Sequence, residues 1–420
     1  MNNILPQGYK QTELGIIPED WEVVNLSNLA KVNGRIGFRG YTVADLVDAG
    51  QGAYAIGGKH IANMSLNLSD AEYISWEKYY ESPEIMVKKG DIVLAQRGTL
   101  GKSAIIANDI GPATINPSLV LINKIKCDNG YLAYWLQSEK IIGYICSINS
   151  QTSIPMITQN QIEHIPIAIP YEQNEQRAIA EALNDVDGLI AALDKKIAKK
   201  RLLKQGAMQQ LLTGKKRLPG FSDEWVEKKL GDIGVLFNGY AFKSETYNKA
   251  GKYNIITIAN VQNGKLTIND CNRILSIPSD IQEHQKLKKN DILISMTGNV
   301  GRACLVNASD CLLNQRVGLF VIRDTQNCDK HFIFTIINDG KFENAMIESG
   351  QGAAQANIGK KDIEGFTFLL PTNIKEQQAI ATILSDMDKE IADLEAQRDK
   401  YRLLKSGMMQ KLLTGQIRLK

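Results

Sequence analysis

Three short segments of the chain contain residue types that could support phosphate chemistry or base chemistry. The first, Gly98-Thr-Leu-Gly101-Lys102-Ser103, ends like a phosphate-binding loop, in which backbone N–H groups and a lysine hold phosphates. That loop needs a glycine five positions before Gly101, where Gln96 stands. A similar segment, Gly301-Arg-Ala303, has no hydroxyl that could bind magnesium. We therefore predict a tight turn after a strand rather than a nucleotide site.

The other two segments also fail as catalytic motifs. Asn116-Pro-Ser-Leu119 resembles the Asn/Asp-Pro-Pro-aromatic loop of adenine methyltransferases, but it lacks the second proline and the aromatic residue that stacks a flipped base. Pro278-Ser-Asp280, with Glu283 and Lys286, has only the loose spacing of a nuclease metal site. Four histidines have no spacing suited to a metal or to a nucleophile–base pair: His60, His164, His284 and His331. We predict no catalytic residue, no bound cofactor and no metal site in this chain.

Composition indicates an ordinary globular protein of two or three domains. The 420 residues are 44% hydrophobic and 23% charged, with a formal net charge of +3. No apolar run approaches the roughly 18 residues of a membrane span, and the first residues do not have the layout of a signal peptide. Six cysteines are scattered without a CxxC pair, which favours free thiols over a zinc site. We expect a cytoplasmic protein.

Positive charge is concentrated in one stretch. Lys195 to Arg217 contains nine basic residues and no acidic residue. Such a run is typical of a solvated helix face, and it could also face DNA phosphates. The segments on either side carry no net positive charge, which argues against a strong nucleic-acid binder that acts alone.

An internal repeat determines the organisation of the chain. Residues Pro170 to Gly214 and Pro371 to Gly415 align without a gap at a constant separation of 201, and 24 of the 45 positions are identical. Each copy predicts one long helix, with a proline before it and Glu175 or Glu376 in its first turns. About 40 residues at 1.5 Å each correspond to a rod of roughly 60 Å.

Apolar residues in both copies recur at alternating steps of four and three, which is the pattern of a coiled-coil seam. We expect the two helices to pair with each other along this seam. Its residues are Ile179, Leu183, Val186, Ile190, Leu193 and Ile197 in the first copy, and Ile380, Leu384, Met387, Ile391 and Leu394 in the second.

The repeat extends into the segments before each helix. Ile17-Pro-Glu-Asp-Trp21 matches Phe221-Ser-Asp-Glu-Trp225, and Lys88 to Gly101 matches Lys288 to Gly301, while the separation drifts between them. One fold is therefore used twice with divergent loops, and variable loops on a constant scaffold are where binding specificity is found. Short β-branched runs predict strands, namely Asp91 to Ala95, Ser118 to Ile122 and Ile165 to Ile169, repeated as Asp291 to Ser295, Val317 to Ile322 and Phe366 to Leu370.

The predicted fold class is α+β, with two similar, mainly β domains and two long helices that form an antiparallel coiled coil in a pseudo-two-fold repeat. The predicted boundaries are 1–170 for the first domain, 171–217 for the central helical spacer, 218–371 for the second domain and 372–420 for the C-terminal helical spacer.

The combination of motifs resembles the DNA-specificity (S) subunit of type I restriction–modification systems over essentially the whole chain. The resemblance rests on the Pro-x4-Glu-Gln-x2-Ile-Ala start of each helix, the acid pairs Asp185/Asp187 and Asp386/Asp388, and the Leu-Leu-Thr-Gly endings. The segments around Gly98 and Gly298 are similar to that family's target recognition domains.

The resemblance implies a noncatalytic protein. Each target recognition domain would read one half of a bipartite sequence in double-stranded DNA, and the helices would act as a spacer between the half-sites. Methyltransferase (M) subunits, two by expectation, would dock on the chain and bind S-adenosylmethionine. Restriction (R) subunits would use ATP and magnesium. No membrane partner is expected.

We expect the residues that contact DNA to be polar or basic side chains on loops that differ between the two copies. The candidates are Arg35, Arg39, Lys59, Arg97, Lys102, Gln151 and Thr152 in the first domain, and Lys243, Asn299, Arg302, Gln315, Arg316 and Gln355 in the second. Each of them could equally be an exposed polar loop residue without such a role.

Two other hypotheses stay open at this point. The chain could be a coiled-coil assembly scaffold that does not itself read DNA. It could also be a fused restriction–methylation enzyme with degenerate motifs, although the missing glycine-rich cofactor loop argues against that. Sequence-specific DNA binding and S-adenosylmethionine binding discriminate among the three.

Overall fold

The computed structural model describes residues 5–62, 64–148, 155–350 and 357–420. Their contacts divide the chain into two compact units. The first unit contains Met1–Asp194 and Ala396–Lys420, and the second contains Lys195–Glu395. Each unit therefore combines one globular domain with part of both long helices.

In the first unit, short strands and helices alternate before the first long helix. The strands are β1 (Tyr9–Thr12), β2 (Gly15–Pro18), β3 (Trp21–Asn25), β4 (Lys31–Gly34), β5 (Leu46–Val47), β6 (Gly52–Ile56), β7 (Ile61–Ala62), β8 (Ser65–Leu66), β9 (Glu72–Ser75), β10 (Ile92–Ala95), β11 (Ser103–Ile105), β12 (Ala113–Ile115), β13 (Leu119–Asn123) and β14 (Pro166–Pro170). The helices are α1 (Leu26–Leu29), α2 (Trp76–Tyr80), α3 (Asn129–Leu136), α4 (Glu139–Ile148), α5 (Gln159–Glu163) and the long α6 (Gln173–Leu211).

The second unit repeats this order with the second long helix. Its strands are β15 (Trp225–Lys229), β16 (Gly234–Asn238), β17 (Tyr253–Ile256), β18 (Val261–Gln262), β19 (Lys265–Leu266), β20 (Asn272–Ile274), β21 (Lys286–Leu287), β22 (Ile292–Ser295), β23 (Ala303–Leu305), β24 (Cys311–Leu313), β25 (Val317–Ile322) and β26 (Thr367–Pro371). Its helices are α7 (Leu230–Ile233), α8 (Lys330–Ile337), α9 (Gly340–Ser349), α10 (Lys360–Glu364) and α11 (Ile374–Leu412). The predicted strands are confirmed to within a residue or two at their ends.

The antiparallel sheets of the two domains have the same topology, and the mixed sheets share three of their four strands. The fourth strand differs, because β5 pairs with β9 in the first domain, whereas β21 pairs with β24, the counterpart of β12, in the second. The first domain has an antiparallel sheet in the order β11-β10-β13-β4 and a mixed sheet in the order β12-β6-β9-β5. The second domain has the orders β23-β22-β25-β16 and β20-β17-β24-β21. In both mixed sheets one pair of strands is parallel, β6 with β12 and β17 with β24. The internal repeat predicted from the sequence is therefore a repeat of fold.

The antiparallel sheet is the middle layer of each domain. Successive side chains of a strand point to opposite faces, and all four residues of β10 are buried. Ile92 and Leu94 pack in a core with α3, α4 and the start of α6, whereas Val93 and Ala95 pack in a second core with the mixed sheet. Strand β22 divides its side chains between two cores in the same way. A strand buried on both faces is a continuous apolar run, which is why the sequence marks it clearly.

The two long helices pair antiparallel within each unit. In the first unit Asp187 contacts Lys405 at 2.8 Å, and Asp194 contacts Arg398 at 3.4 Å. In the second unit Lys200 contacts Glu390 at 2.7 Å. As residue numbers rise along α6, those of the partners on α11 fall. The predicted pairing of the helices is confirmed.

The seam residues nearest the start of each long helix lie in a hydrophobic core that contains both a globular domain and the end of the other long helix. Ile179 and Leu183 share the core of the first domain with Leu412 and Leu413, and Ile380 and Leu384 share that of the second with Leu211 and Leu212. The first turns of α6 lie against α3, where the Gln176 side chain accepts a hydrogen bond from the Asp128 N–H at 2.9 Å. Later seam residues lie where the interhelical ion pairs are found: Val186, Ile197, Ile391 and Leu394 are buried, and Ile190, Leu193 and Met387 are half-buried. The periodic pattern therefore marks a face that packs against a globular domain near the start of each helix and lies along the helix pair further on.

Candidate nucleic-acid interface

A polar concavity of about 440 Å³ lies in the first domain at the carboxyl ends of the parallel strands β6 and β12. The loops after these strands and the loop after β10 provide most of its wall. Its lining residues are Ala55, Gly57, Gly58, Lys59, His60, Glu72, Ala95, Arg97, Thr99, Asn116 and Ser118. Two predicted DNA contacts, Lys59 and Arg97, therefore share one concave surface.

Hydrogen bonds hold the loops around this concavity. His60 is 1% exposed, and its Nδ1 accepts a hydrogen bond from the Gly57 N–H at 2.9 Å. Burial lowers the pKa of His60, which favours the neutral imidazole, and because Nδ1 accepts a hydrogen bond, the proton of that form lies on Nε2. In the neighbouring loop, Asn116 Oδ1 accepts hydrogen bonds from the Ser118 N–H at 3.0 Å and the Ser118 hydroxyl at 2.5 Å. A Cβ on Gly57 would lie 2.6 Å from Asn116 Nδ2, so a larger residue at this position would displace the Asn116 side chain.

The second domain builds the same loops with other residues. Asn260 stands where His60 stands in the first domain, and its Oδ1 accepts a hydrogen bond from the Thr257 N–H at 2.9 Å. Asn314 corresponds to Asn116, and its Oδ1 accepts a hydrogen bond from the Arg316 N–H at 3.3 Å. In the sequence, Asn116 was named only as part of a failed catalytic motif, and His60, Glu72, Thr99 and Ser118 were missed as lining residues. Their only signal was a position next to a strand end.

The predicted DNA contacts of the first domain differ in exposure, and some of them are held by other protein atoms. Arg35 is 8% exposed, and its guanidinium donates hydrogen bonds to Ile115 O, Thr114 Oγ1 and Arg39 O. It therefore does not have the exposed loop position that we expected. Arg39 Nη1 lies 3.6 Å from Glu84, while Arg97 and Lys102 are exposed. Gln151 and Thr152 lie outside the described residues.

In the second domain, too, one predicted DNA contact is held by protein atoms while others are exposed. Arg302 Nη1 donates a hydrogen bond to Gln262 Oε1 at 3.2 Å, and Arg302 Nε lies 3.5 Å from Glu343, so protein atoms hold this guanidinium. Lys243, Asn299, Gln315 and Arg316 are exposed. Gln355 lies outside the described residues. A DNA contact by any of these residues stays a prediction.

The segment that imitates a phosphate-binding loop is a tight turn between β10 and β11. The Leu100 N–H donates a hydrogen bond to Gly98 O at 3.0 Å, and the Gly101 N–H donates to Ala95 O at 3.2 Å. Gly98 and Gly101 have φ values of 76° and 77°, in the left-handed region that favours glycine. The equivalent Gly298 and Gly301 have φ values of 73° and 80°. The glycines serve the turn, as predicted.

Part of the basic run contacts protein rather than an open surface. Lys200, Arg201 and Lys204 form ion pairs with Glu390, Glu395 and Asp388 of α11. These basic residues are therefore engaged in the helix pair, which weakens the interpretation of the run as a continuous strip for phosphates.

A buried carboxylate begins each long helix and is held by an arginine from the other end of the same unit. Glu175 is 3% exposed and accepts hydrogen bonds from Arg418 Nε at 2.6 Å and Nη2 at 2.8 Å. Glu376 is fully buried and accepts them from Arg217 Nε at 2.7 Å and Nη2 at 2.8 Å. Hydrogen bonding by Glu175 raises the pKa of Arg418, so this arginine stays charged. Each pair ties the segment after one helix to the start of the other.

The described part of the chain contains neither a cluster of potential metal ligands nor a disulfide bond. No group of three or more potential metal ligands occurs there. All six cysteines are free, and burial raises the pKa of Cys127 and Cys304 to about 12. Among the described helices, none has the length and apolar character needed to cross a membrane.

Comparison with protein families gives a direct match. The model of the type I restriction modification DNA specificity domain matches residues 18–200 and again residues 222–401. The chain therefore belongs to this family. The match confirms the predicted family and the role of a DNA-recognition subunit in a type I restriction–modification system, and the family is noncatalytic.

Relatives and solved structures agree with this assignment. The chain is 27% identical to the putative type I restriction enzyme MjaX specificity subunit of Methanocaldococcus jannaschii, over 99% of this chain and 97% of that one. It is 26% identical to the MjaVIII specificity subunit of the same organism, over 96% and 94%. The S subunit of a type I restriction-modification system from M. genitalium has the same fold, with a TM-score of 0.60, 15% identity and coverage of 93% of this chain and 96% of that one.

Proposed function

We propose that the two globular domains each read one half of a bipartite sequence in double-stranded DNA, and that the paired helices set the spacing between the half-sites. One observation supports this more than any other: the two domains share the antiparallel sheet, three strands of the mixed sheet and the glycine turn after β10 or β22, but they have different polar side chains on matched loops. A duplicated scaffold with two different reading surfaces can recognise an asymmetric, split site.

The test is single-molecule sequencing of adenine methylation in cells that express this chain and its neighbouring subunits, with and without its gene. We expect a split methylated motif that disappears on deletion. A methylation pattern that does not change on deletion, in cells where the methyltransferase subunits are active, would contradict the proposal. A coiled-coil scaffold that does not read DNA would leave the choice of motif unaffected by substitutions in either domain.

Catalysis, in this proposal, lies in partner subunits in the cytoplasm. Methyltransferase subunits bind S-adenosylmethionine, and restriction subunits use ATP and magnesium, while this chain binds none of the three. Calorimetry of the purified chain is expected to show no heat of S-adenosylmethionine binding. Saturable binding of S-adenosylmethionine would instead favour the fused-enzyme hypothesis.

The long helices provide two equivalent patches on which methyltransferase subunits can dock. Leu202 and Leu203 are 69% and 51% exposed, and Leu403 and Leu404 are 76% and 51% exposed. The flanking basic residues form ion pairs across the helix pair, so the leucines are left facing outward. Exposed apolar pairs that occur twice are suited to two copies of one partner.

Replacing Leu403 and Leu404 together by aspartate is expected to weaken binding of the methyltransferase subunit at this patch by at least about tenfold, so that one copy binds tightly instead of two, since the interface loses apolar contacts and gains buried charge. Surface changes of this kind alter stability by only about 0.5 kcal/mol. Sedimentation of the purified chain with methyltransferase subunits measures the effect. The control is Leu275→Asp, which alters a leucine that is 62% exposed outside the helices. Unchanged affinity of the helix variant would exclude this patch.

A further inference from the structure

The backbone pairing beside the concavity is the same in both domains. The Gln96 N–H donates a hydrogen bond to Ser118 O at 2.9 Å, and the Met296 N–H donates one to Arg316 O at 3.0 Å. The residues that follow the two donors, Arg97 and Thr297, therefore occupy equivalent positions. Ser118 and Arg316 are equivalent across the same hydrogen bond.

Each domain has one arginine at this pairing, but on opposite segments. The first domain has Arg97 on the segment after β10, with Ser118 beside it, whereas the second has Thr297 there and Arg316 beside it. The neighbouring loop changes as well, because Lys59 in the first domain is replaced by Ala259 in the second. The backbone scaffold is therefore the same in both domains, while the arginine side chain occupies a different position on it.

Both arginines are available to an external acceptor. Arg97 and Arg316 are exposed, and within the described part of the chain neither guanidinium forms a hydrogen bond or ion pair. This differs from Arg35, whose guanidinium donates hydrogen bonds to protein oxygen atoms, and from Arg302, which contacts Gln262 and Glu343. The one carboxylate in the first concavity, Glu72, lies 3.9 Å from Lys59 and is partly neutralised by it.

We propose that Arg97 and Arg316 are the specificity-determining residues of the two domains, and that each reads a guanine through its O6 and N7 atoms. A guanidinium can donate two parallel hydrogen bonds to O6 and N7 in the major groove. No base other than guanine presents two acceptors in this arrangement. Because the two arginines project from opposite segments, the two domains read a guanine at different positions of their half-sites. This inference rests on the proposed function.

The test exchanges residues between equivalent positions of the two domains. Arg97→Thr and Arg316→Ser each introduce the residue that the other domain holds at the same place, so the scaffold is known to accommodate it. Adenine methylation is mapped by single-molecule sequencing in cells that express each variant with the methyltransferase subunits. We expect Arg97→Thr to lower discrimination by about 10- to 100-fold at one guanine of one half-site, with the other half-site unchanged. Arg316→Ser is expected to relax the other half-site alone.

Matched controls remove a positive charge elsewhere. Lys89 and Lys289 are exposed and equivalent, and Lys89→Ala and Lys289→Ala are expected to leave both half-sites unchanged. The inference is overturned if a half-site contains no guanine, if both variants keep the wild-type motif, or if methylation falls evenly at all sites, which would indicate a phosphate contact. If wild-type chain supports no split motif at all, the proposed function fails instead. Circular dichroism confirms that each variant is folded.

Discussion

Replacing Arg418 by alanine is expected to destabilise the first unit by about 3 kcal/mol, because it leaves the buried Glu175 carboxylate without its cation. In the intact protein Arg418 donates two hydrogen bonds to Glu175 and two to Asp20, the latter both at 2.8 Å. After the substitution, the one remaining donor to the Glu175 side chain among the described residues is Trp21 Nε1, at 3.4 Å. Amide hydrogen exchange by mass spectrometry measures the effect separately in each unit. We expect faster exchange in β3 and β14 and no change in β15 and β26.

Two further variants make this prediction specific. Arg418→Ala combined with Glu175→Gln removes the uncompensated charge, and it is expected to recover a large part of the lost protection. Lys200→Ala removes an ion pair whose side chains are 30% and 45% exposed, and such pairs contribute about 1 kcal/mol or less. If Arg418→Ala changed exchange in the first unit no more than Lys200→Ala changes it in the second, the buried pair would not be a main stabilising contact of its unit.

The arginine–glutamate pairs also show where sequence reasoning stops. The position of Glu175 and Glu376 in the first turn of a helix suggested an interaction with the helix dipole. Burial and a bidentate arginine more than 150 residues away in the sequence could not be inferred, because nothing local links Arg217 to Glu376 or Arg418 to Glu175. By contrast, the long helices and the strands β10 and β22 were predicted correctly. Their signals are local, namely a period near 3.5 residues and an uninterrupted apolar run.

The candidate DNA contacts also show what local sequence cannot predict. They were chosen because they are polar or basic residues in predicted loops. This criterion could not distinguish the exposed Arg97 from the buried Arg35, which lies two residues beyond the buried strand residue Asn33. Arg35 is held by oxygen atoms of β12, a strand that follows it by about 80 residues. Burial of a charged side chain depends on such distant partners.

Lengthening both long helices by seven residues is expected to change the recognised DNA sequence more than any single substitution. Seven residues are two turns of a paired helix, so the apolar face keeps its direction. The insertions belong after Asp194 in α6 and after Glu395 in α11, where the division between the two units crosses each helix. In an antiparallel pair, equal insertions at these points keep Asp187 with Lys405 and Lys204 with Asp388. Each helix grows by about 10 Å.

If the helices set the spacing, the unread gap of the methylated motif should grow by up to about three base pairs, since one base pair spans about 3.4 Å along the duplex. Both half-sites should stay the same, because no residue of either globular domain is altered. Single-molecule sequencing of adenine methylation reports the gap and the half-sites together. An insertion in α6 alone is the control: it puts the interhelical ion pairs out of register, so we expect loss of methylation rather than a longer gap. A double insertion that methylates the original motif at the original spacing would show that the helices connect the reading domains without measuring the distance between their targets.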